Sequence, residues 1–397
     1  MNKFLRSALS VCIAISTVFV SYAQDNLINS LSKNQSEISK QSFTFTPIIN
    51  LTNTSVKNQG SSGTCWSYST NSFLESEMIK AGKPAIDLSE MFIVRNAYIE
   101  KGKNYVRMHG AVTLGDGGAL HDVINMYAKY GIVPQEVYTG LNYGTDINQF
   151  GEMAAIQEGV LNAVIKNPNK SLTPNWIKAY TAVVDSYLGE VPEKFTYNGK
   201  SYTPQTFAKE VVGLNPQDYI EVSSFKEQPL YEKFVLMVPD NWSFDQVYNV
   251  KIKELTDIID HALKNGYTVA WATDVSEKGF SWKNGVAYIP TKDFTMMNEA
   301  EKASMFNGPK PELEITEDMR QKAFDNYETT DDHGMHIVGL AKDQNGKEYY
   351  IVKNSWGVSN DYNGYLYVTK NFVQYKTTSI LLNKKGLPKD IRQKLKI

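Results

Sequence analysis

The stretch Val56-Lys-Asn-Gln-Gly-Ser-Ser-Gly-Thr-Cys-Trp-Ser-Tyr-Ser69 is the part of this sequence around which the rest is organised. An amide side chain, Gln59, stands six residues before the thiol of Cys65, and the residues after the thiol can continue as a helix. A thiol at a helix N-terminus meets the positive end of the helix dipole and unpaired backbone N–H groups, which favour the thiolate. The Gln59 amide can fold back and donate to an oxyanion that forms beside the sulfur. This arrangement is typical of a cysteine acyl-transfer enzyme, provided that a histidine from elsewhere reaches the thiol.

Composition indicates a globular protein and argues against some partners. The chain has 397 residues, of which 42% are apolar, and a net charge of -2 from 41 basic and 43 acidic residues. No long run of either sign is present, so we expect no nucleic-acid partner. The glycines at 115–118 precede a predicted helix without a preceding strand of Val and Ile, which argues against a phosphate-binding loop. We expect no cofactor.

The first 23 residues have the pattern of a cleavable signal peptide. Lys3 and Arg6 are followed by the apolar run Ala8–Val20 and by small residues up to Ala23. Cys12 lies inside that run and not at its end after a small residue, which disfavours a lipoprotein anchor. The sequence therefore predicts export to the periplasm or beyond, with no membrane attachment after cleavage.

Cysteine usage supports a functional thiol. The chain has two cysteines, and the predicted cleavage removes Cys12, so the exported protein keeps Cys65 alone and cannot form an internal disulfide. The alternative interpretation is a buried, inert Cys65.

The order of predicted elements suggests two subdomains. A polar lead-in over 24–44 precedes a folded domain over 45–397. Helices are predicted early and strands late, and a cleft between the two halves would receive side chains from both. The predicted helices cover 65–80, 88–100, 119–130, 153–165, 176–188 and 251–264, and the predicted strands cover 267–272, 335–341, 348–354 and 364–369.

His336 is the predicted partner of Cys65. It lies near the start of a predicted strand, which a short hairpin joins to a strand ending at Asn354. This pairing can set the imidazole against the Asn354 side-chain oxygen and leave the other ring nitrogen for the sulfur. His333 is an alternative base, but it is predicted to lie in the loop before the strand. His333 and His336 also form an HxxH pair that could bind a metal, yet no third ligand is apparent, so no metal site is predicted.

Five motifs in this order resemble the papain-like cysteine peptidases. They are Gln59, Gly63-Thr-Cys-Trp-Ser67, Gly117-Gly118, Met335-His-Ile-Val338 and Asn354-Ser-Trp-Gly357. Ser and Gly precede the thiol where that family usually has a cysteine. The long segment between Gly118 and His336, including Val238-Pro-Asp-Asn-Trp242, resembles the bleomycin hydrolase and aminopeptidase C branch.

The resemblance implies an α+β fold of papain type with two subdomains. The helical half would carry the nucleophile helix, the β-rich half would carry the His and Asn, and an insertion would cover about 145–235. It also implies a peptide substrate and a ring-shaped homo-oligomer, a hexamer.

The resemblance also implies a role for each motif residue. Cys65 would be the nucleophile, His336 the general base and then acid, and Asn354 the residue that orients it. The Gln59 amide and the Cys65 backbone N–H would form the oxyanion hole, and Trp356 would shield the His–Asn hydrogen bond. Gly117, Gly118, Trp66 and Trp356 are the expected substrate-binding residues, with glycines that let a substrate pair as an added strand.

The C-terminal tail leaves the type of peptidase open. In the resembled branch the C-terminal arm reaches the cleft and its carboxylate holds the substrate amine. Here a basic tail over 381–397 looks shorter, and Lys394 and Lys396 would repel an amine. An aminopeptidase is expected, with an endopeptidase, an acyltransferase or a non-catalytic peptide-binding protein as alternatives.

Overall fold

A computed structural model describes residues 43–397 of the chain. The predicted signal peptide, 1–23, and all but the last two residues of the predicted lead-in lie outside this range. Within it, no helix is both long enough and apolar enough to cross a membrane.

The helices and strands are numbered in chain order. The α-helices are α1 Cys65–Lys80, α2 Glu90–Arg107, α3 Leu120–Tyr130, α4 Gly151–Ile165, α5 Asn175–Leu188, α6 Pro204–Phe207, α7 Ile252–Lys264, α8 Glu299–Ala303, α9 Glu317–Asp325, α10 Lys370–Lys376 and α11 Lys389–Leu395. The strands are β1 Phe45–Asn50, β2 Phe195–Tyr197, β3 Lys200–Tyr202, β4 Tyr219–Ser223, β5 Lys233–Val235, β6 Gln246–Asn249, β7 Val269–Thr273, β8 Phe280–Ser281, β9 Val286–Ala287, β10 His333–Asp343, β11 Glu348–Lys353, β12 Tyr365–Thr369 and β13 Thr377–Asn383.

The strands of the second half form one mixed sheet. Its strand order is β5-β6-β4-β13-β7-β10-β11-β12-β9-β8, with β1 paired to β10. β10 and β11 are antiparallel neighbours with His336 opposite Lys353, and a bulge shifts their register between Ile337 and Gly339. The predicted order of helices first and strands last is confirmed, and so is the α+β class.

Two apolar cores flank the nucleophile helix α1. Buried side chains of α1–α5 form one core, and β7, β10, β11 and α7 contribute to the other. α1 is buried on all sides from Cys65 to Met78, although it is rich in Ser, Thr and Asn. Several of its polar groups are paired inside the protein: Ser67 Oγ donates to Glu90 O, and the Glu77 carboxylate accepts from Asn383 Nδ2. Because both halves of the protein supply partners, tertiary packing holds a helix of weak intrinsic propensity.

The predicted insertion, about 145–235, packs largely onto the helical half. Phe150, Tyr180 and Phe207 are fully buried in the same core as α1 and α2. The ring of Tyr180 lies against Gly102, where an added methyl group would be 2.4 Å from the ring. α2 runs past its predicted end at residue 100 to Arg107, and Gly102 lets another helix approach it closely.

Candidate active site

Cys65 lies at the first position of α1 and is 4% exposed. The loop before it is held by the amide of Gln59, whose Nε2 donates to Ser62 O at 2.6 Å and whose Oε1 accepts from Ser355 Oγ at 2.6 Å. Gln59 N also donates to Ser355 O at 2.8 Å. These bonds join the loop before the thiol to the segment after β11. The structure therefore brings together three predicted site elements, at Gln59, Cys65 and Asn354-Ser355.

Asn354 binds His333, the first residue of β10. His333 Nε2 lies 2.7 Å from Asn354 Oδ1, and both side chains are buried. The Trp356 ring covers the imidazole, with its centroid 4.5 Å from that of His333, and Trp282 packs against Trp356. Trp356 therefore has the predicted shielding position, over a different histidine. His333 Nδ1 is buried and has no hydrogen-bond partner within residues 43–397.

The predicted pairing of His336 with Asn354 is wrong. β10 begins at His333, two residues earlier than predicted, so His336 lies within the strand opposite Lys353. His336 Nδ1 is 2.9 Å from Ser72 Oγ, and Ser72 lies about 10 Å along α1 from Cys65. At that separation His336 cannot take a proton from the thiol directly.

His336 belongs instead to a buried polar network under α1. Lys353 Nζ donates to Ser72 Oγ at 2.8 Å, and because an ammonium only donates, the Ser72 hydroxyl gives its hydrogen to His336 Nδ1. The imidazole and Lys353 line a cavity of about 20 Å³, which is room for a single water molecule and not for a peptide. The HxxH pair considered as a metal site is not brought together, since its two rings bond to Asn354 and Ser72.

Gly334 is the sequence signal that could have identified His333. A methyl group on Gly334 would lie 2.9 Å from Ser69 Oγ and 3.3 Å from the Cys65 carbonyl. The backbone N–H of Gly334 interacts with the Cys65 sulfur and lowers the thiol pKa. A histidine followed at once by a residue without a side chain can bring its backbone against the first turn of the nucleophile helix.

Two effects on the Cys65 thiol oppose each other: the helix N-terminus favours the thiolate, and burial disfavours it. Burial raises the pKa of Cys65 to about 12, although the N–H groups of Gly334 and Trp66 lower it. Burial also lowers the pKa of His333 to about 4, against the opposing effect of the hydrogen bond to Asn354. These shifts favour a neutral thiol and a neutral imidazole near pH 7, and the sequence-based expectation of a free thiolate is not met by the helix terminus alone.

The two buried imidazoles predict a specific pH dependence of stability. Burial lowers the pKa of His333 from 6.5 to about 4, and that of His336 well below 6.5. As the pH falls below 6.5 the unfolded chain gains protons that the folded chain excludes, so the free energy of unfolding decreases. Between about pH 7 and about pH 5, wild type is expected to lose up to about 2 kcal/mol more than His336→Gln. Urea unfolding of both proteins measures this, and equal losses would contradict it.

Gly117 and Gly118 lie beside the thiol loop, where Gly117 is buried and Gly118 is partly exposed. A methyl group on Gly118 would lie 2.8 Å from the Trp66 ring, and Trp66 Nε1 donates to Asp116 O at 3.1 Å. Lys101 is buried beneath this loop, where its ammonium donates to the carbonyls of Gly115 and Gly117 at 2.7 Å each. Trp66 therefore packs against these glycines, and its role in substrate binding stays a prediction.

A carboxylate cluster near α1 has the spacing of a cation site. Glu75, Asp87 and Glu90 each offer an oxygen within 4.8 Å of the others. The Lys57 ammonium already occupies this position: it bonds to Asp87, lies 2.5 Å from Glu90 Oε1 and is 3.8 Å from Glu75 Oε1. We assign this cluster to an internal ion pair and not to a metal.

Comparison with known proteins agrees with this architecture. The crystal structure of PepW from Lactobacillus rhamnosis HN001 superposes with a TM-score of 0.69 at 21% identity, covering 88% of this chain and 84% of that one. This likeness confirms the predicted papain-like fold with two subdomains.

The family is also clear from sequence comparison. The chain matches the Peptidase C1-like family over residues 11–397, and it belongs to this family. It is 22% identical to aminopeptidase C of Streptococcus thermophilus, covering 91% of this chain and 86% of that protein. It is 22% identical to the mitochondrial cysteine proteinase 1 of Saccharomyces cerevisiae, covering 99% and 87%. The chain is a cysteine-type peptidase similar to aminopeptidase C, as its motifs predicted.

Proposed function

We propose that this protein is a cysteine aminopeptidase in which Cys65, His333 and Asn354 act together. The observation that carries the assignment is the His333–Asn354 hydrogen bond under Trp356, with the backbone of Gly334 against Cys65. The similarity to aminopeptidase C supports the substrate class. Export through the predicted signal peptide and assembly into a homo-oligomer are parts of the proposal that rest on the sequence alone.

The proposed reaction begins with a neutral pair. Cys65 Sγ attacks the carbonyl carbon of the first peptide bond while its proton passes to His333 Nδ1, the nitrogen that Asn354 leaves without a partner. The resulting imidazolium is stabilised through Nε2–H by Asn354 Oδ1, and it protonates the departing amine. Water, deprotonated by the same imidazole, then hydrolyses the thioester and releases the first amino acid. Burial keeps the thiol and the imidazole neutral in the resting site. They become charged only during the reaction, when the proton is transferred and the bond to sulfur forms.

The Gln59 amide supplies the oxyanion donor in this mechanism. One N–H of Nε2 is used by Ser62 O, which fixes the amide and leaves the second N–H for the oxyanion. Gln59→Ala is expected to lower kcat by about 10²–10³-fold with little change in KM, because this donor matters most in the transition state. Steady-state kinetics measures the two constants separately. A fall confined to KM would assign Gln59 to substrate binding instead.

A pair of reporters tests the proposed function. One is an aminoacyl anilide with a free amine, and the other is the same molecule acetylated on nitrogen; Cys65→Ala is the control for each. We expect wild type to hydrolyse the free reporter and the control to hydrolyse neither. Faster cleavage of the acetylated reporter would replace the aminopeptidase by an endopeptidase. Cleavage of neither, with transfer to an added amine, would indicate an acyltransferase.

A further inference from the structure

An aminopeptidase needs a negative group that binds the α-ammonium of its substrate, and the following inference rests on that proposed function. The described C-terminal tail is held elsewhere. Ile391 and Leu395 of α11 are buried in the β-half core, and Lys394 Nζ lies 2.6 Å from Glu254 Oε1 in the first turn of α7. The described tail therefore runs along α7, and carboxylates elsewhere in residues 43–397 are candidates for the anchoring group.

The carboxylate of Asp240 lies directly on the backbone of the cleft. A methyl group built on Gly117 would be 1.9 Å from Asp240 Oδ2 and 2.5 Å from Oδ1. The carboxylate therefore covers the side-chain face of Gly117, beside the backbone along which a substrate paired with Gly117 and Gly118 would lie. The group that covers this glycine is an acid.

The segment that carries this acid, residues 236–245, is fixed to the helical half; we call it the closing loop. Trp242 Nε1 donates to Asp122 Oδ2 at 2.9 Å, and Asn104 Nδ2 donates to Trp242 O at 2.5 Å. Asn241 Nδ2 donates to two carbonyls within the loop, at 2.8 and 2.9 Å. These bonds to α2, to α3 and within the loop hold the Asp240 carboxylate at a defined place over Gly117.

A second carboxylate, Asp331, approaches from the other half. It stands two residues before His333, and Thr378 Oγ1 donates to its Oδ1 at 3.3 Å. Burial and then the charge of Asp240 raise the pKa of Asp331 to about 8. Both carboxylates also act on Cys65, since each raises the pKa of the thiol. The charge of each acid therefore acts on the other acid and on the nucleophile. The position of Asp240 is defined by geometry, since it lies on Gly117 and the neighbouring Gly118 packs on the ring of Trp66, the residue after Cys65.

The negative charge of Asp240 is only partly compensated by the described residues. Burial raises the pKa of this carboxyl, and within residues 43–397 the opposing charge is the Lys101 ammonium, whose hydrogen bonds go to backbone carbonyls. In the same cleft, His333 Nδ1 is fully buried and has no hydrogen-bond partner in the described chain. An acid whose opposing ammonium is bonded to backbone carbonyls is complementary to the ammonium group of a substrate, and the unpaired imidazole nitrogen can accept a proton.

The covalent geometry of an amino acid limits how far the group that binds its amine can lie from the nucleophile. Its nitrogen is about 2.5 Å from its own carbonyl carbon. That carbon lies about 3–3.5 Å from the attacking sulfur before reaction. A carboxylate that holds the amine must therefore lie only a few ångströms beyond the nucleophile. An acid on Gly117 suits this requirement, because the neighbouring Gly118 packs on the ring of Trp66, the residue after Cys65.

We propose that Asp240, assisted by Asp331, binds the α-ammonium of the first substrate residue, and that the closing loop admits a single residue before the scissile bond. Asp240 is then the specificity-determining residue that makes this peptidase an aminopeptidase. The same carboxylate excludes longer chains at Gly117 and attracts the free terminus.

Asp240→Asn in the full-length protein tests this inference, with Asp245→Asn in the same loop as the matched control. Asp245 is partly exposed and bonds to Asn125 and Ser243 on the loop surface. We expect Asp240→Asn to lower kcat/KM for the free-amine reporter by about 10–100-fold, because a charge-assisted hydrogen bond is lost. Its kcat/KM for the acetylated reporter is not expected to fall, because that reporter carries no ammonium group, and its alkylation by iodoacetamide is expected to be no slower than that of wild type, because Asp240 raises the thiol pKa. Asp245→Asn is expected to behave as wild type.

The outcomes separate this inference from the proposed function. If wild type prefers the free amine and Asp240→Asn keeps that preference, the anchor lies elsewhere and the inference is overturned. If wild type shows no preference for the free amine, the proposed aminopeptidase function itself is contradicted. Asp331→Asn is a second variant, expected to reduce the preference more weakly, and it carries the test if thermal unfolding shows that Asp240→Asn does not fold.

Discussion

In His333→Ala, kcat/KM for the free-amine reporter is expected to fall by about 10²–10⁴-fold, the contribution of a positioned acid–base group. The structure gives the reason: His333 is bonded to Asn354 and lies next to Gly334, whose backbone packs against Cys65. Without the imidazole, no group takes the thiol proton, and a thiol whose pKa is near 12 stays protonated at neutral pH.

His336→Ala is the matched control for this prediction. Its ring is equally buried but bonds to Ser72, so its loss removes a structural contact and leaves the acid–base group in place. We expect this variant to unfold at a lower temperature and to keep kcat/KM within a few-fold of wild type, per active site titrated. The opposite ranking, with His336→Ala inactive and His333→Ala active, would restore the sequence-based assignment and contradict the structure.

Cys65→Ala is expected to abolish turnover of both reporters, because no other nucleophile is available at the start of α1. In hydrolases with a covalent intermediate, removing the nucleophile costs about 10⁶-fold in kcat. The same substitution is expected to abolish labelling by a thiol-reactive peptide analogue. Cys65 is the free cysteine of residues 43–397, so a label that peptide mapping places within this range reports on this residue.

Thermal unfolding and substrate binding provide the controls for this variant. Alanine at residue 65 removes one buried sulfur and changes little else, so the folded structure is expected to persist and to bind substrate without cleaving it. Persistent labelling or turnover by purified Cys65→Ala would show that the nucleophile is another residue.

Local patterns predicted the nucleophile segment well. Gly63 and Thr64 before the thiol, and Gly82 and Pro84 after the helix, bracket α1 at its observed bounds, Cys65–Lys80. The hairpin between β10 and β11 was also predictable, because its turn at Asp343–Gly346 separates two apolar strands.

The choice between two histidines depended on information that is not local. Because β10 begins at residue 333 and not at residue 335, His333 is the first residue of the strand and His336 lies within it. Side chains alternate along a strand, so residues three apart face opposite sides, and only the helix packed on one side decides their roles. Here α1 covers the side of His336 with Ser72 and leaves His333 to Asn354.

The role of Asp240 in the closing loop could not be predicted from the sequence. Val238-Pro-Asp-Asn-Trp242 was identified as a resemblance to a family branch, without a role for its aspartate. Its contact at Gly117 joins residues more than a hundred positions apart, and a glycine motif read as an open cleft is covered by a carboxylate. Such a relation follows from tertiary packing alone.

The products released over time from a hexapeptide of six different residues, identified by mass spectrometry, test the central claim most directly. With wild type and a free amino terminus, we expect the first residue to appear before the second and the second before the third, and with Cys65→Ala no product. An internal cut as the first event, or an unchanged product series from Cys65→Ala, would contradict the account of a cysteine aminopeptidase acting through Cys65.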